Sequence, residues 1–481
     1  MSKISVKQED SLSIKFIHQL EVGENRHLGL YFLFPKEMGI STKSIDEEEY
    51  YHSGITGRRS YHSPGIHLPL VQSRFISQKK RTIEEFRLYL NLFAYQFAVA
   101  TETDCKELRQ IEEASEFYPA LNELSNQVFQ LLKRFRRNEP SDPKWKSYFE
   151  NADNYLSWLC EQELLKSLAH SPRDSEYSES VDAIVQFCRK EHEYRKERRY
   201  NSAQTMKDPN RIANKMLLLR RLIQQGVVLK EEKKLLGVGL KKMTTGVATG
   251  LVMLVVSSLI IKAQGVFSGL TTSLVLSLAV IYGFREIFKE DIRNVLWKWI
   301  RRGRPRWSRT LLDTTSKLLV AKQLVWLDFI RKSDLPPPVS DILKQRNKQN
   351  KVDSEILHYG VYTKVASKDF LAGYSTIQEQ INFSLAPFAR YLERGKAKIY
   401  SESEGKISHT SVERRYQINV VVVSRMNKQD MRYARYKITM NRSSIVEISE
   451  SELPSKFTHL NELNAANGLS SEEKYLKDHV V

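Results

Sequence analysis

The apolar positions of this chain change period several times, and each change predicts an element. Leu12, Ile14 and Phe16 alternate with polar residues, Gly23-Glu24-Asn25 offers a turn, and residues 28–34 form a fuller apolar run closed by Pro35. Two short strands are predicted over 12–34. Residues 40–80 carry acids, then Gly, Ser, His and basic residues, and read as a loop or an irregular strand pair. From Thr82 the spacing becomes helical. Ile83, Phe86, Leu90, Phe93 and Phe97 fall on one helix face, with Thr82 as cap and Glu85 as its capping-box partner. Leu121, Leu124, Val128, Leu131 and Phe135 repeat the pattern until Pro140 and Pro143 break it. Residues 145–168 and 181–199 are further predicted helices.

Residues 211–242 are amphipathic and basic, with Met216, Leu219, Leu222 and Ile223 beside Arg211, Lys215, Arg220 and Arg221. Two charge-free runs follow, 244–261 and 266–284, joined by Lys262-Ala263-Gln264-Gly265. At about 1.5 Å per helical residue each approaches the thickness of a bilayer core. The short link predicts an antiparallel pair. Residues 310–332 have enough Leu and Val to predict a helix. Leu335-Pro336-Pro337-Pro338 predicts a stiff, extended connector. Helical spacing returns at Ile377, Ile381, Leu385, Phe388 and Leu392. Residues 416–423 and 435–440 read as strands, and 445–448 as their continuation.

The expected fold is α+β in seven segments. Residues 1–81 are β-rich, 82–210 a helical cytosolic domain and 211–243 a basic juxtamembrane helix. Residues 244–284 form a transmembrane helical hairpin, and 285–334 are basic juxtamembrane helices. Residues 335–451 make an α+β cytosolic domain, and 452–481 a polar tail.

Composition narrows the class. The chain has 481 residues, 41% hydrophobic and 27% charged, which excludes a wholly disordered chain. Three cysteines, Cys105, Cys160 and Cys188, exclude a disulfide scaffold and read as buried thiols. The start lacks an apolar h-region, so no secretory signal peptide is predicted.

The net charge of +18 suggests nucleic acid until it is placed along the chain. Residues 207–242 carry ten basic and three acidic side chains, and 285–309 carry nine and three. The excess therefore flanks the apolar pair, where it suits anionic headgroups. Lys241, Lys242, Arg285 and Lys289 stand at the outer ends and Lys262 alone at the tip. The positive-inside rule then predicts two passes in an inner (plasma) membrane, with both termini cytoplasmic. Trp297, Trp299 and Trp307 among arginines are predicted headgroup-level anchors. Gly246 and Gly250 form GxxxG, and Gly265, Gly269, Ser273 and Ser277 continue a small-residue stripe for helix packing. The simplest partner for that stripe is the other helix of the hairpin; a second copy is the alternative. Neither run holds an ionisable residue, which argues against a pump or transporter.

Other candidate chemistry is thin. His52, His62 and His67 match no zinc spacing, so no metal is assigned. Glu191-His192-Glu193 sits in a charge run that reads as a solvated helix face, as do Glu112, Glu113 and Glu116. Gly405-Lys406 and Gly54…Gly57-Arg58-Arg59 lack phosphate-loop spacing, and no nucleophile-elbow, metalloprotease or kinase motif appears. No cofactor is predicted. Arg414, Arg415, Tyr416, Arg435 and Tyr436 could contact a single nucleic-acid strand, but no RNP-like pattern supports them.

Ile281-Tyr-Gly-Phe-Arg-Glu-Ile-Phe-Lys-Glu-Asp-Ile-Arg resembles the segment after the second transmembrane helix in a group of uncharacterised bacterial inner-membrane proteins. Residues 415–419 and 435–442 are similar to theirs as well. That group carries a Lys-Asp-Arg-Ile-Lys type motif where this chain has residues 285–293. The resemblance implies a bacterial inner membrane and no known activity, and it assigns no functional residue. The expected function is a membrane-anchored interaction or scaffold protein at the cytoplasmic face, with an unidentified protein partner or a second copy. A tethered enzyme with a dispersed site, or a tethered nucleic-acid-binding protein, is the alternative.

Overall fold

The computed structural model describes residues 4–40, 44–62, 68, 82–172, 175–266, 272–314, 316–344, 354–367, 370, 374–393, 396–403, 406–427, 431–451, 453 and 457. Strands β1 (Ser5–Asp10), β2 (Ser13–Glu21) and β3 (Asn25–Pro35) lead to the short helix α1 (Glu47–Ser53) and β4 (Ile55–His62). A helical run follows: α2 (Ile83–Leu108), α3 (Ala114–Arg136), α4 (Pro143–Ala169), α5 (Ser178–Glu197), α6 (Ala203–Lys207) and α7 (Pro209–Gln224). Strand β5 (Lys230–Leu235) opens into two long helices, α8 (Val238–Val266) and α9 (Thr272–Arg301). The chain returns through β6 (Trp307–Leu312), β7 (Leu319–Ile330), α10 (Pro337–Lys344), β8 (Ser354–Val365), β9 (Thr376–Ser384) and α11 (Ala386–Ala389). It ends in β10 (Lys396–Ser403), β11 (Lys406–Glu413), β12 (Tyr416–Met426), β13 (Arg432–Met440) and β14 (Ile445–Ser451).

The strands build an antiparallel sandwich. One sheet has the order β14-β13-β12-β3-β8-β7-β6-β5 and the other β1-β2-β9-β4, while β10 and β11 form a separate two-stranded ribbon. Alternation explains the facing layers. Ile14 and Phe16 of β2, Ile381 and Phe383 of β9, and Leu28, Leu30, Phe32 and Phe34 of β3 are buried in one core. Strand β3 is buried on its other face too, because Tyr31 and Leu33 pack with Val421, Val423, Val339 and Ile342. That double burial is why residues 28–34 read as a continuous apolar run. The sheets are tied together at both sides. Tyr61 N donates to Val227 O at 2.8 Å and Leu229 N to Arg59 O at 2.9 Å, beside β4 and just before β5, while Ile445 N of β14 donates to Ser11 O at 2.6 Å, between β1 and β2.

Residues 1–81 and 335–451 are therefore not separate units. Strand β3 lies between β8 and β12, and β2 between β1 and β9. The polar–apolar pattern marks strands but not their partners, so the interleaving is invisible in the sequence. Other expectations need correction. The segment 285–334 is helical only to Arg301; β6 and β7 replace the helix expected over 310–332. The spacing from Ile377 belongs to strand β9. Leu335 and the prolines lead into α10, which packs on the outer face of the large sheet. Residues 211–243 hold α7, which buries Met216, Leu219 and Ile223 against the helical run, and then β5. Of residues 40–80, expected as a loop or an irregular strand pair, 47–62 hold helix α1 and strand β4, and 63–67 and 69–80 lie outside the described residues. The tail lies outside the described residues apart from Leu453 and Phe457.

The helical run follows its pattern closely. Thr82 accepts from Glu85 N at 3.3 Å and Glu85 accepts from Thr82 N at 3.1 Å, completing the capping box. Its apolar faces share one core with Leu20, Tyr61, Leu311 and Ile377 of the sandwich.

Candidate functional site

The sandwich interior is not uniformly apolar. Six strands each turn a polar residue inward at one level: His18 on β2, Arg59 on β4, Arg309 on β6, Gln323 on β7, Thr363 on β8 and Glu379 on β9. All six are buried. Strand alternation puts each of them in line with core neighbours, as Ile377, Glu379 and Ile381 show on β9.

Glu379 is the centre. It accepts from Arg59 Nε at 2.7 Å, from Gln323 Nε2 at 3.0 Å and from His18 Nε2 at 3.2 Å. Burial alone would raise its pKa, but the Arg59 charge and the bonds from His18 and Gln323 hold it well below the usual carboxylate range. Gln323 Nε2 also donates to Thr363 Oγ1 at 2.9 Å. Arg59 reaches a second carboxylate, Glu231 on β5. A Cβ at Gly57 would lie 2.5 Å from Arg59 Nη1. Glycine there leaves room for the guanidinium.

Arg309 is bound differently. Its Nε donates to Tyr51 Oη at 2.7 Å and its Nη2 to Tyr359 Oη at 3.4 Å. The Tyr51 ring stacks on Trp307 at 3.8 Å between centroids. Lys233 Nζ stands 5.7 Å from the same Tyr51 ring. Partial burial, then the nearby Arg309 charge, pulls Lys233 below its ordinary pKa. Burial raises the Tyr51 phenol, and Arg309 opposes that rise. Burial also pushes Tyr359 up to about 12. Both phenols are therefore neutral at physiological pH.

This layer was missed in the sequence. In the sequence Arg58-Arg59 stands out only as a failed phosphate loop, and Glu379 does not stand out at all. A polar residue in line with apolar ones two positions away was the signal available.

Above the layer rises the hairpin. Strands β5 and β6 pair from Leu235↔Trp307, so α8 and α9 leave the sheet from its edge strand and the strand beside it. Among the described side chains of α8, Thr244, Ala248, Val252 and Val256 are the buried ones, a stripe of i, i+4 spacing that faces α9. Val247, Leu251, Leu254, Val255, Leu259 and Ile261 are exposed. Among the described residues one helix, Val238–Gln264, is long and apolar enough to cross a membrane, with mean hydropathy 2.0. The described apolar stretch of α9, residues 272–284, is about 20 Å long. Trp297 lies 3.5 Å from the Cβ position of Gly237, at the foot of the hairpin. Equal steps from that contact put Arg285 level with Thr249. The charged half of α9 thus runs beside the lower part of α8, which holds Lys241 and Lys242 and then the start of its apolar run.

The predicted anchor residues divide. Lys241, Lys242 and Trp299 are exposed, and Trp297, Arg285 and Lys289 are half-buried. Arg285 and Lys289 pair with Glu286 at 3.6 and 3.1 Å. Trp307 is no headgroup anchor, because it is buried against Tyr51 in the sandwich. Gly246 and Gly250 do not pack on α9: open space surrounds both Cβ positions. The buried stripe lies two positions away, about 200° around the helix from each. Ser277 is half-buried. Gly269 and the side-chain surroundings of Gly265 and Ser273 fall outside the described residues.

The cation–aromatic set on the C-terminal strands does not form a surface. Tyr416 and Tyr436 are buried in the sandwich core. Arg435 is buried and donates to Asn419 Oδ1 at 3.0 Å. Arg414 pairs with Glu37 and Glu393 on the exterior, near exposed Arg415. Nor is Glu191 on a solvated face. It is buried and bound by both Arg136 Nη atoms at 2.9 and 2.7 Å, while Arg136 Nε also holds buried Asp153 at 3.0 Å. This clamp joins α3, α4 and α5. His192 is exposed. Cys105, Cys160 and Cys188 are buried and free. No cluster of metal-ligating side chains occurs among the described residues.

Comparison with protein-family models, with curated proteins and with solved structures finds no match to the chain.

Proposed function

We propose that this chain is a membrane-anchored interaction protein. The α8–α9 hairpin inserts into a bilayer with anionic headgroups, in two passes with both termini cytoplasmic. The sandwich and its helical run work at the cytoplasmic face on a protein partner. One observation carries this reading: α8 keeps large apolar side chains uncovered along most of its length, with Leu254 and Ile261 68% and 69% exposed. A water-facing surface of that kind is unfavourable, whereas lipid accommodates it without cost. The basic excess flanking the hairpin supports the orientation.

The reading is tested by alkaline carbonate extraction of membranes. The protein should stay in the pellet, and release to the supernatant would refute insertion. Orientation is read with single cysteines and an impermeant maleimide on intact cells. The three native thiols are buried, so background labelling is low. Gln264→Cys should react from outside and Glu232→Cys should not. The opposite pattern would overturn the topology.

A further inference from the structure

We propose that the mouth of the sandwich between β4, β5 and β6 is a binding site for a phosphate-type oxyanion, gripped by Arg309, Trp307 and Lys233. The reading does not rest on membrane insertion. It starts from a mismatch of charge. The polar layer holds two buried guanidinium groups. Arg59 takes both carboxylates within reach, Glu379 and Glu231. Arg309, 2% exposed, is left with two phenol oxygens as acceptors. Its Nη1 has no hydrogen-bond partner among the described residues.

An arginine keeps its charge even when buried. Glu379 and Glu231 act on Arg309 from a distance, but both are bonded to Arg59, and the three cations Arg59, Arg309 and Lys233 outnumber them by one. Trp307, two residues earlier on the same inward face of β6, repeats the deficit. It is 2% exposed, and its Nε1 donor has no partner among the described residues. Tyr51 joins the two, with its ring against Trp307 and its oxygen on Arg309.

Two orphan donors and a surplus positive charge call for an acceptor that carries negative charge. Water would satisfy the N–H groups and leave the charge. An oxyanion satisfies both, through short charge-assisted bonds. Both donors are themselves buried, and the exposed side of the site is the sheet edge. Strand β5 is the edge of the large sheet, and all its side chains are at least partly exposed. Lys233 projects from it over the Tyr51 ring and supplies a mobile third cation. His52, exposed at 6.3 Å from the Trp307 ring, borders the same mouth. The mouth lies at the root of the hairpin, so the phosphate group could belong to a lipid headgroup or to a soluble compound.

The test uses the full chain. Its melting temperature is followed in dodecyl maltoside micelles with sodium phosphate or sodium chloride at matched ionic strength. It is followed again in phosphatidylcholine nanodiscs with and without phosphatidylglycerol. The expected result is a saturable rise with phosphate, or with phosphatidylglycerol, over its control. A response to inorganic phosphate assigns a soluble ligand; a response to phosphatidylglycerol alone assigns the headgroup. Lys233→Met, at an exposed edge, should leave the starting melting temperature unchanged. It should raise the ligand concentration at half-effect about tenfold, the worth of one charge-assisted bond. Arg309→Gln should abolish the response wherever it folds. No anion-specific rise in either medium, or an unshifted half-effect in Lys233→Met, would overturn the site.

Discussion

Glu379 and Arg59 show how much of this protein hangs on single side chains. A fully buried carboxylate is tolerable only because Arg59, Gln323 and His18 surround it. Glu379→Gln keeps the shape and removes the charge, which leaves Arg59 with only the partly buried Glu231. We expect a loss of about 3–5 kcal/mol in urea unfolding, in line with breaking a buried pair from one side. The pH dependence has a fixed sign. The native pKa lies below the ordinary value of about 4. The stabilisation is therefore complete above the ordinary value and is lost as pH falls from there toward the native pKa. Glu379→Gln should flatten the acid limb of the stability curve between about pH 5 and pH 2. A mutant with the wild-type slope would show that Glu379 is not the group responsible. Gly57→Ala should act on the same pair, because its methyl would displace the Arg59 guanidinium. It should give a smaller loss with the same flattened limb.

At the scale of elements, the helices α2 to α5 were legible and several strands were not. The reason is the polar layer itself. On β9 the inward residues are Ile377, Glu379, Ile381 and Phe383. The carboxylate breaks the alternation, and what survives is a four-residue step that mimics a helix. Strand β6 hides in the same way, with Arg309 between Trp307 and Leu311. The residues most worth finding thus concealed the elements that carry them. Helix α8 offers the reverse case, where an apolar run was plain but its faces were not. Ala248 is buried against α9, while Gly250 looks into open space. Ala248→Phe should therefore overpack the hairpin and cost about 1–3 kcal/mol, read as faster proteolysis between α8 and α9. Gly250→Leu should leave that proteolysis unchanged. Equal sensitivity of the two variants would mean that the glycine face packs after all.

The whole molecule is organised around an interruption. Every strand of the two sheets comes from residues 5–62 or 230–451; the helical run is inserted between β4 of one sheet and β5 of the other, and the hairpin between the paired strands β5 and β6. The sandwich closes only when both ends of the chain are present, since β3 needs β8 and β12 as neighbours. The hairpin needs no such closure. Strands β5 and β6 are antiparallel partners at its foot, and Leu236 N still donates to Arg306 O at 2.8 Å. A tight Asn-Gly turn suits that geometry. Replacing residues 237–305 with Asn-Gly should leave the register Leu235↔Trp307 intact and remove the exposed apolar surface. The product is expected to be soluble without detergent and to keep a cooperative thermal transition. Besides the Gly303 carbonyl that accepts from Trp326 Nε1 at 3.1 Å, the structural loss is a set of ion pairs, Arg302 with Asp334 and Arg301 with Glu47 and Asp328, the last two shared by Arg306. That surface network accounts for no more than about 1 kcal/mol per pair. If the shortened chain aggregates, the hairpin is part of the sandwich's own core rather than an appendage. If it folds and no longer sediments with membranes, attachment and body are separable, and the polar layer belongs to the body alone.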